Sequence, residues 1–224
     1  MVSTEVDLLS SGVITPLKGI RKVAARRMVQ AWSAPVFHLS TDVKMESALI
    51  ASKRENNTTL TDILIGATAQ ALMENPALNA HFNEDAITSF SEINIGIAVA
   101  TELGLVVPVI HNVNNDNLAK IAEKRKRVVT KAREGKLAMP DIEGATFTIS
   151  NLGMLGIDSF DAIVNPPQVA ILAIGSTREI PTVENSKIVI RKVANLTLTC
   201  DHRAVDGATG AKFLSELRKV IESK

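Results

Sequence analysis

The sequence holds no tyrosine, one tryptophan and one cysteine in 224 residues, and aromatic side chains make up only 3%. Proteins that grip nucleic acid combine clustered cations with aromatic stacking platforms. Here no basic block exceeds a few residues and the formal net charge is +1, so a nucleic-acid partner is not expected. The lone Cys200 cannot make an internal disulfide, which fits a reducing compartment. Apolar runs such as "VAILAIG" fall far short of the ~20 residues a membrane helix needs, so no membrane partner is expected. The opening "MVSTEVDLLSSG" lacks a basic segment followed by an apolar core, so it does not read as a signal peptide. Residues 1–14 read instead as a polar leader or linker remnant.

What is present suits one large core, since 46% of residues are hydrophobic. A first helix is expected from Thr15-Pro16 to about Trp32, with Ile20, Val23, Ala24 and Met28 as its apolar face. "VFHLSTDVKM" alternates as a strand does, and helices are expected over about 45–54 and 61–74. A hairpin is expected around Asn83–Asp85. "INIGIAVA" and "LVVPVI" are β-rich runs joined by Glu102-Leu103-Gly104. Residues 116–134 form a charged helix closed by Gly135, with "KRKR" as its solvated face. The strand candidates that follow are "ATFTISN", "QVAILAIGS", "KIVIRKV" and "ANLTLTC". A last helix runs from Gly207 to about Ser223, with Ala211, Leu214, Leu217 and Val220 on one face. Strands and helices mix without strict alternation, which predicts one α/β domain over residues 15–224, layered on a mixed sheet.

The chemistry concentrates in "CDHRAVDGATG", Cys200 to Gly210. His202 stands just past an apolar strand and just before a helix, where site residues collect. Asp206 reads as the N-cap of that helix, and a rigid capping aspartate can also order the neighbouring loop. A Cys200–His202 nucleophile pair is weighed because the two lie two residues apart, but "NLTLTC" suits a small buried side chain. His38, His81 and His111 have no acidic or cysteine partner at ligand spacing, and no His-x₃-His or Cys-x₂-Cys pair occurs, so no metal site is expected. "GATFTISNLGMLG" carries Ser150 and Asn151 at a strand end, followed by Gly153 and Gly156. It is neither a phosphate loop nor a nucleophile elbow.

"DHRAVDG", preceded by "FTISNLGMLGIDSFDAIVNPPQVAILAIG", resembles the C-terminal catalytic domain of dihydrolipoamide acyltransferases, the core components of 2-oxo acid dehydrogenase complexes. The likeness continues through "IRKVAARRM", "LTDILIGATAQAL", "NPALNA" and "INIGIAVATELGLVVPVI", and covers about residues 15–224. It implies a fold like chloramphenicol acetyltransferase, a two-layer mixed sheet with helices, assembled as trimers that build a cubic 24-mer or a dodecahedral 60-mer. It implies active sites between subunits, reached by coenzyme A and a dihydrolipoyl arm from opposite ends. By that resemblance His202 is the general base, Ser150 the oxyanion donor and Asp206 a loop-ordering residue, acting through an arginine such as Arg21 or Arg27. Coenzyme A contacts carry over to Lys53, Arg54, Thr59, Ser150, Asn151 and Gly175. The acyl group is expected to be acetyl, as in a pyruvate dehydrogenase complex. The lipoate would be carried on a lipoyl domain outside this chain. A decarboxylase and a dihydrolipoamide dehydrogenase are the implied partners, in the cytoplasm or the mitochondrial matrix. Three features depart from the pattern: "VFHLS" lacks the family's histidine before the aromatic residue, Ala100 replaces an acidic residue of some members, and "SKRENNTTL" is shortened.

Overall fold

A computed structural model describes residues 13, 15–55, 57–102 and 104–224. Apart from Val13, the polar leader lies outside the described residues, as do Leu103 and the side chain of Ile20.

In chain order the elements are α1 (Gly19–Trp32), β1 (Val36–Lys44), α2 (Glu46–Arg54), α3 (Leu60–Glu74) and the hairpin β2 (Ala80–Asn83) and β3 (Ala86–Ser89). The strands β4 (Ile95–Ile97), β5 (Val99–Thr101), β6 (Gly104–Val106) and β7 (Val109–Ile110) lead to α4 (Leu118–Arg133). Strands β8 (Phe147–Asn151), β9 (Ala170–Ile174), β10 (Arg178–Glu184) and β11 (Lys187–Asp201) precede α5 (Gly207–Glu222). The main sheet runs β1-β11-β9-β8-β4-β7, and β10 pairs with the first half of β11. β8 is parallel to β4 and β9, while the other pairs are antiparallel, so the sheet is mixed as expected.

Alternation gives this sheet two different faces. Phe147 and Ile149 of β8, Leu172 and Ile174 of β9, and Leu196, Leu198 and Cys200 of β11 join α3 and α5 in the main core. The residues between them face the other way. There Ile171 and Ala173 are covered by Ala162, Val164 and Phe160, while Ser40, Thr197, Asn195 and Asp42 make a hydrogen-bonded polar strip.

Several expectations change. The first helix opens at Gly19 rather than Thr15, because Gly19 holds a left-handed φ of 53° that interrupts a right-handed path. Its expected apolar face is not fully buried among the described residues: Val23 is 55% exposed, Ala24 and Met28 are half-buried, and Ala31 is the one buried residue of α1 among those described. β10 is an added strand. It contains Pro181 and pairs on one side only, and a free edge tolerates the missing N–H. "KIVIRKV" and "ANLTLTC" are one continuous strand, β11. In α5, Gly210 and Phe213 are buried while Ala211 is exposed. The "KRKR" run is divided: Lys126 and Arg127 are solvated, but Lys124 pairs with Asp116 and Arg125 with the fully buried Asp62.

Candidate active site

β11 carries the chain out of the core and stops at Asp201. His202 follows in a turn, and its N–H donates to the Pro35 carbonyl at 2.8 Å, which ties the turn to the start of β1. Its ring lies against Phe37, centroids 4.8 Å apart, and is otherwise exposed. The residues on either side of His202 pair across it. The Asp201 carboxylate is buried and accepts the Arg203 amide at 3.0 Å and the guanidinium Nε and Nη2 at 2.9 and 2.6 Å. The Arg203 guanidinium rests on the Phe82 ring, 4.3 Å from its centroid. Sequence reasoning missed Phe37, Phe82 and the Asp201–Arg203 pair; "DHR" holds the only local signal for any of them.

Asp206 is the N-cap of α5, as expected: its Oδ1 accepts the Thr209 N–H at 2.7 Å. That hydrogen bond holds its carboxyl below the usual range, and the nearby charge of His202 lowers it further. Within the chain, Asp206 makes no ion pair with Arg21 or Arg27 among the described residues. Arg21 lies against Gly104 instead, its Cγ 3.6 Å from where a Cβ would stand.

Cys200 faces the other way. Opposite Phe37 in the β1–β11 ladder, it is fully buried under α5, and burial pushes its thiol up to about 12. A thiol so protonated is no nucleophile, because the thiolate is the reactive form. Since β11 ends at Asp201, Cys200 and His202 do not share a strand face.

Ser150 lies on the second sheet face, half-buried, with no side-chain hydrogen-bond partner among the described residues. Register places it far from His202. Ser150 is opposite Ala173 and Ala173 opposite Thr197, five positions before His202. At ~3.4 Å per residue and ~4.8 Å per strand, the gap is roughly 17 Å along and 10 Å across. One chain cannot bring the two side chains to one reacting group.

The other predicted contacts serve the fold here. Asn151 Oδ1 accepts the Gly153 N–H at 2.9 Å. A Cβ on Gly175 would stand 1.9 Å from the Asp158 carbonyl oxygen. Thr59 caps α3, its hydroxyl and N–H both donating to Asp62. Lys53 and Arg54 are exposed at the end of α2, with Arg54 lining a cavity of about 490 Å³ between α2, α3 and α4. Among the described residues no group of three metal-ligating side chains occurs, and no helix is long and apolar enough to cross a membrane.

A mixed sheet with helices on one face and a histidine-bearing turn after its long strand defines an acyltransferase-type fold. Chloramphenicol acetyltransferase shares it, with a TM-score of 0.60 at 13% identity over 88% of this chain and 94% of that one. Residues 11–224 match the model of the 2-oxoacid dehydrogenases acyltransferase catalytic domain, and the chain belongs to that family. A dihydrolipoyllysine-residue acetyltransferase component of the pyruvate dehydrogenase complex from Rickettsia conorii is 38% identical over 94% of this chain. The chain spans about half, 53%, of that relative's length. A probable dihydrolipoamide acetyltransferase from Listeria monocytogenes superposes with a TM-score of 0.90 at 33% identity, covering 95% of each chain. Another solved relative, the dihydrolipoamide acetyltransferase of Azotobacter vinelandii, gives 0.88 at 28% identity over 99% of this chain and 97% of that one. It was studied for the catalytic role of a serine, a histidine and an asparagine. The serine lies 52 positions before the histidine and the asparagine four after it, the mutual spacing of Ser150, His202 and Asp206 here.

Proposed function

We propose that this domain transfers an acetyl group from S-acetyl-dihydrolipoamide to coenzyme A, in sites that His202 of one subunit and Ser150 of its neighbour complete together. The observation that carries this reading is their separation within one chain. Two groups matched in spacing to a studied catalytic pair cannot meet except across an interface. The exposure of His202 fits the same reading, as does the Ser150 hydroxyl, which has no hydrogen-bond partner among the described residues.

The chemistry follows from the groups. The His202 imidazole takes the proton of the coenzyme A thiol as its sulfur attacks the thioester carbonyl. This relieves the low thiolate fraction of a thiol near its ordinary pKa of ~8.5 and is worth about 10²–10⁴-fold. Ser150 Oγ donates a hydrogen bond to the tetrahedral oxyanion, worth roughly 10²–10³-fold. Collapse breaks the bond to the dihydrolipoyl sulfur, which takes back the proton from His202, and no acyl-enzyme forms. Asp206 fixes the start of α5 and, with its carboxylate, stands where the Azotobacter protein has asparagine. Lys53 and Arg54 are suited to a phosphate of coenzyme A. Ser150 and Asn151 lie where its thiol end must arrive. Thr59 and Gly175 contribute by shaping the walls, since their own groups are engaged in the fold. The lipoyl group comes on a separate domain. The assembly is a homotrimer building a larger core; the likeness to a solved cubic core of the pyruvate dehydrogenase multienzyme complex supports a large multimer (TM-score 0.87, 29% identity over 99% of this chain and 97% of that one). The decarboxylase and dihydrolipoamide dehydrogenase bind around it, in a cytoplasm or mitochondrial matrix.

Subunit mixing tests this. His202→Ala and Ser150→Ala chains, each nearly inactive alone, are unfolded together and reassembled. Hybrid interfaces then contain one intact site, and acetyl transfer between acetyl-CoA and dihydrolipoamide returns to a fraction of the wild-type rate. Reassembled hybrids without activity would mean that each site lies in a single chain.

A further inference from the structure

Phe82 lies in the β2–β3 hairpin, away from the helix-capped turn that carries His202, yet the two are mechanically joined. The link starts at the cation–π contact between Phe82 and Arg203. Arg203 spends its Nε and Nη2 on the buried Asp201 carboxylate, and its own amide donates to the same carboxylate. Asp201 and Arg203 therefore close a ring around one intervening residue, His202. The base of the ring is anchored twice to one segment: the Asp201 N–H donates to Val169 O at 2.9 Å, and the Phe82 N–H donates to Pro167 O at 2.8 Å. On the open side lies a cavity of about 370 Å³, lined by Gln30, Ala34, Asn83 and Gln168 among others, so Phe82 is the wall against which the guanidinium rests.

We infer that Phe82 is a positioning residue for His202: its ring holds Arg203 on Asp201, and that pair sets the backbone from which the imidazole projects. This rests on His202 being the base. The aromatic face matters more than the volume, because a cation is attracted to a ring's π face and not to an alkyl group of similar size. Without the ring, Arg203 can swing into the cavity, and the turn loses its fixed geometry.

The test compares Phe82→Leu and Phe82→Trp in the assembled protein, with His202→Ala as reference. The expected result is a kcat for Phe82→Leu lowered by about threefold to thirtyfold, from the usual worth of a cation–π contact. The KM for coenzyme A stays within about twofold, and Phe82→Trp restores kcat. Should Phe82→Leu not fold, Phe82→Met, which fills similar space without a π face, takes its place with the same expectation. A wild-type kcat in the leucine or methionine variant overturns the inference, as does an equal fall in the tryptophan variant. Activity retained by His202→Ala overturns the base assignment instead, so the two failures are distinguishable.

Discussion

Gly175 lies directly beneath the carbonyl of Asp158, so close that a methyl group on its Cα would come within 1.9 Å of that oxygen. Close by, Gly153 faces the Gly175 carbonyl at 2.6 Å from its own missing Cβ. Two loops thus cross backbone to backbone beside Ser150 and Asn151. Ser176 and Arg178 fasten the crossing by donating to the Asp158 carboxylate at 2.7 and 2.9 Å.

Gly175→Ala is therefore expected to be a folding variant before it is a binding variant. The obstruction is backbone, which cannot rotate aside, so the loss should reach about 3 kcal/mol, the upper part of the overpacking range. Urea denaturation checks it. An unchanged midpoint with a raised KM for coenzyme A would assign Gly175 to ligand contact instead.

Arg125 holds the only cation paired with Asp62 among the described residues, and Asp62 is fully buried. The pair is bidentate, at 2.5 and 3.0 Å, and joins α4 to the first turn of α3. Arg125→Met leaves a carboxylate buried without its cation, which costs about 3–5 kcal/mol. Asp62 would still accept from Thr59, so α3 stays capped and only its tie to α4 is lost. The double variant Asp62→Leu/Arg125→Met is expected to recover part of the loss, because no buried charge remains. Thermal unfolding of the three proteins measures the coupling; additive losses would show that the pair does not act as a unit.

Much of this was legible in the sequence. "QVAILAIGS" and "ANLTLTC" are apolar enough for central strands, and Asp206 announced α5 through its cap. What stayed hidden depends on partners distant in the chain. Arg125 reads as surface charge until α3 and α4 are packed, since Asp62 is 63 residues away. β10 was hidden by Pro181, which excludes a central strand but not an edge. On α1, Val23 is exposed and Ala24 and Met28 are half-buried, so its apolar face could be found from periodicity but its covering could not: the described residues do not cover it fully. His202 stood out locally, whereas Ser150 has no local mark beyond a strand end, and its distance from His202 needed the registers of β8, β9 and β11.

Cys200 should be chemically silent in the folded protein. With its thiol raised to about 12 by burial and then by the charge of Asp201, almost no thiolate exists at pH 8. Iodoacetamide is expected to leave it unmodified in buffer at pH 8 and to alkylate it fully in denaturant, as read by intact mass. Cys200→Ser should keep its kcat within a few-fold of wild type. Rapid labelling of the folded protein with matching loss of activity would return Cys200 to the site.

The last prediction concerns the sign of a pH effect. The Thr209 N–H first, and then the charge of His202, favour the ionised form of Asp206 and hold its carboxyl below the usual carboxylate range. A group depressed in the folded state stabilises fully above its unfolded value, near ~3.9, and loses that stabilisation as pH falls through the folded value. Asp206→Asn keeps a side-chain cap and removes only the charge. The melting temperature of wild type should therefore exceed that of Asp206→Asn at pH 7, and the gap should close below about pH 4. Because Asn is also an N-cap, a gap that persists unchanged to low pH would place its origin in cap geometry rather than charge. A gap that closes ties the ionised carboxylate, four residues after His202, to the start of α5.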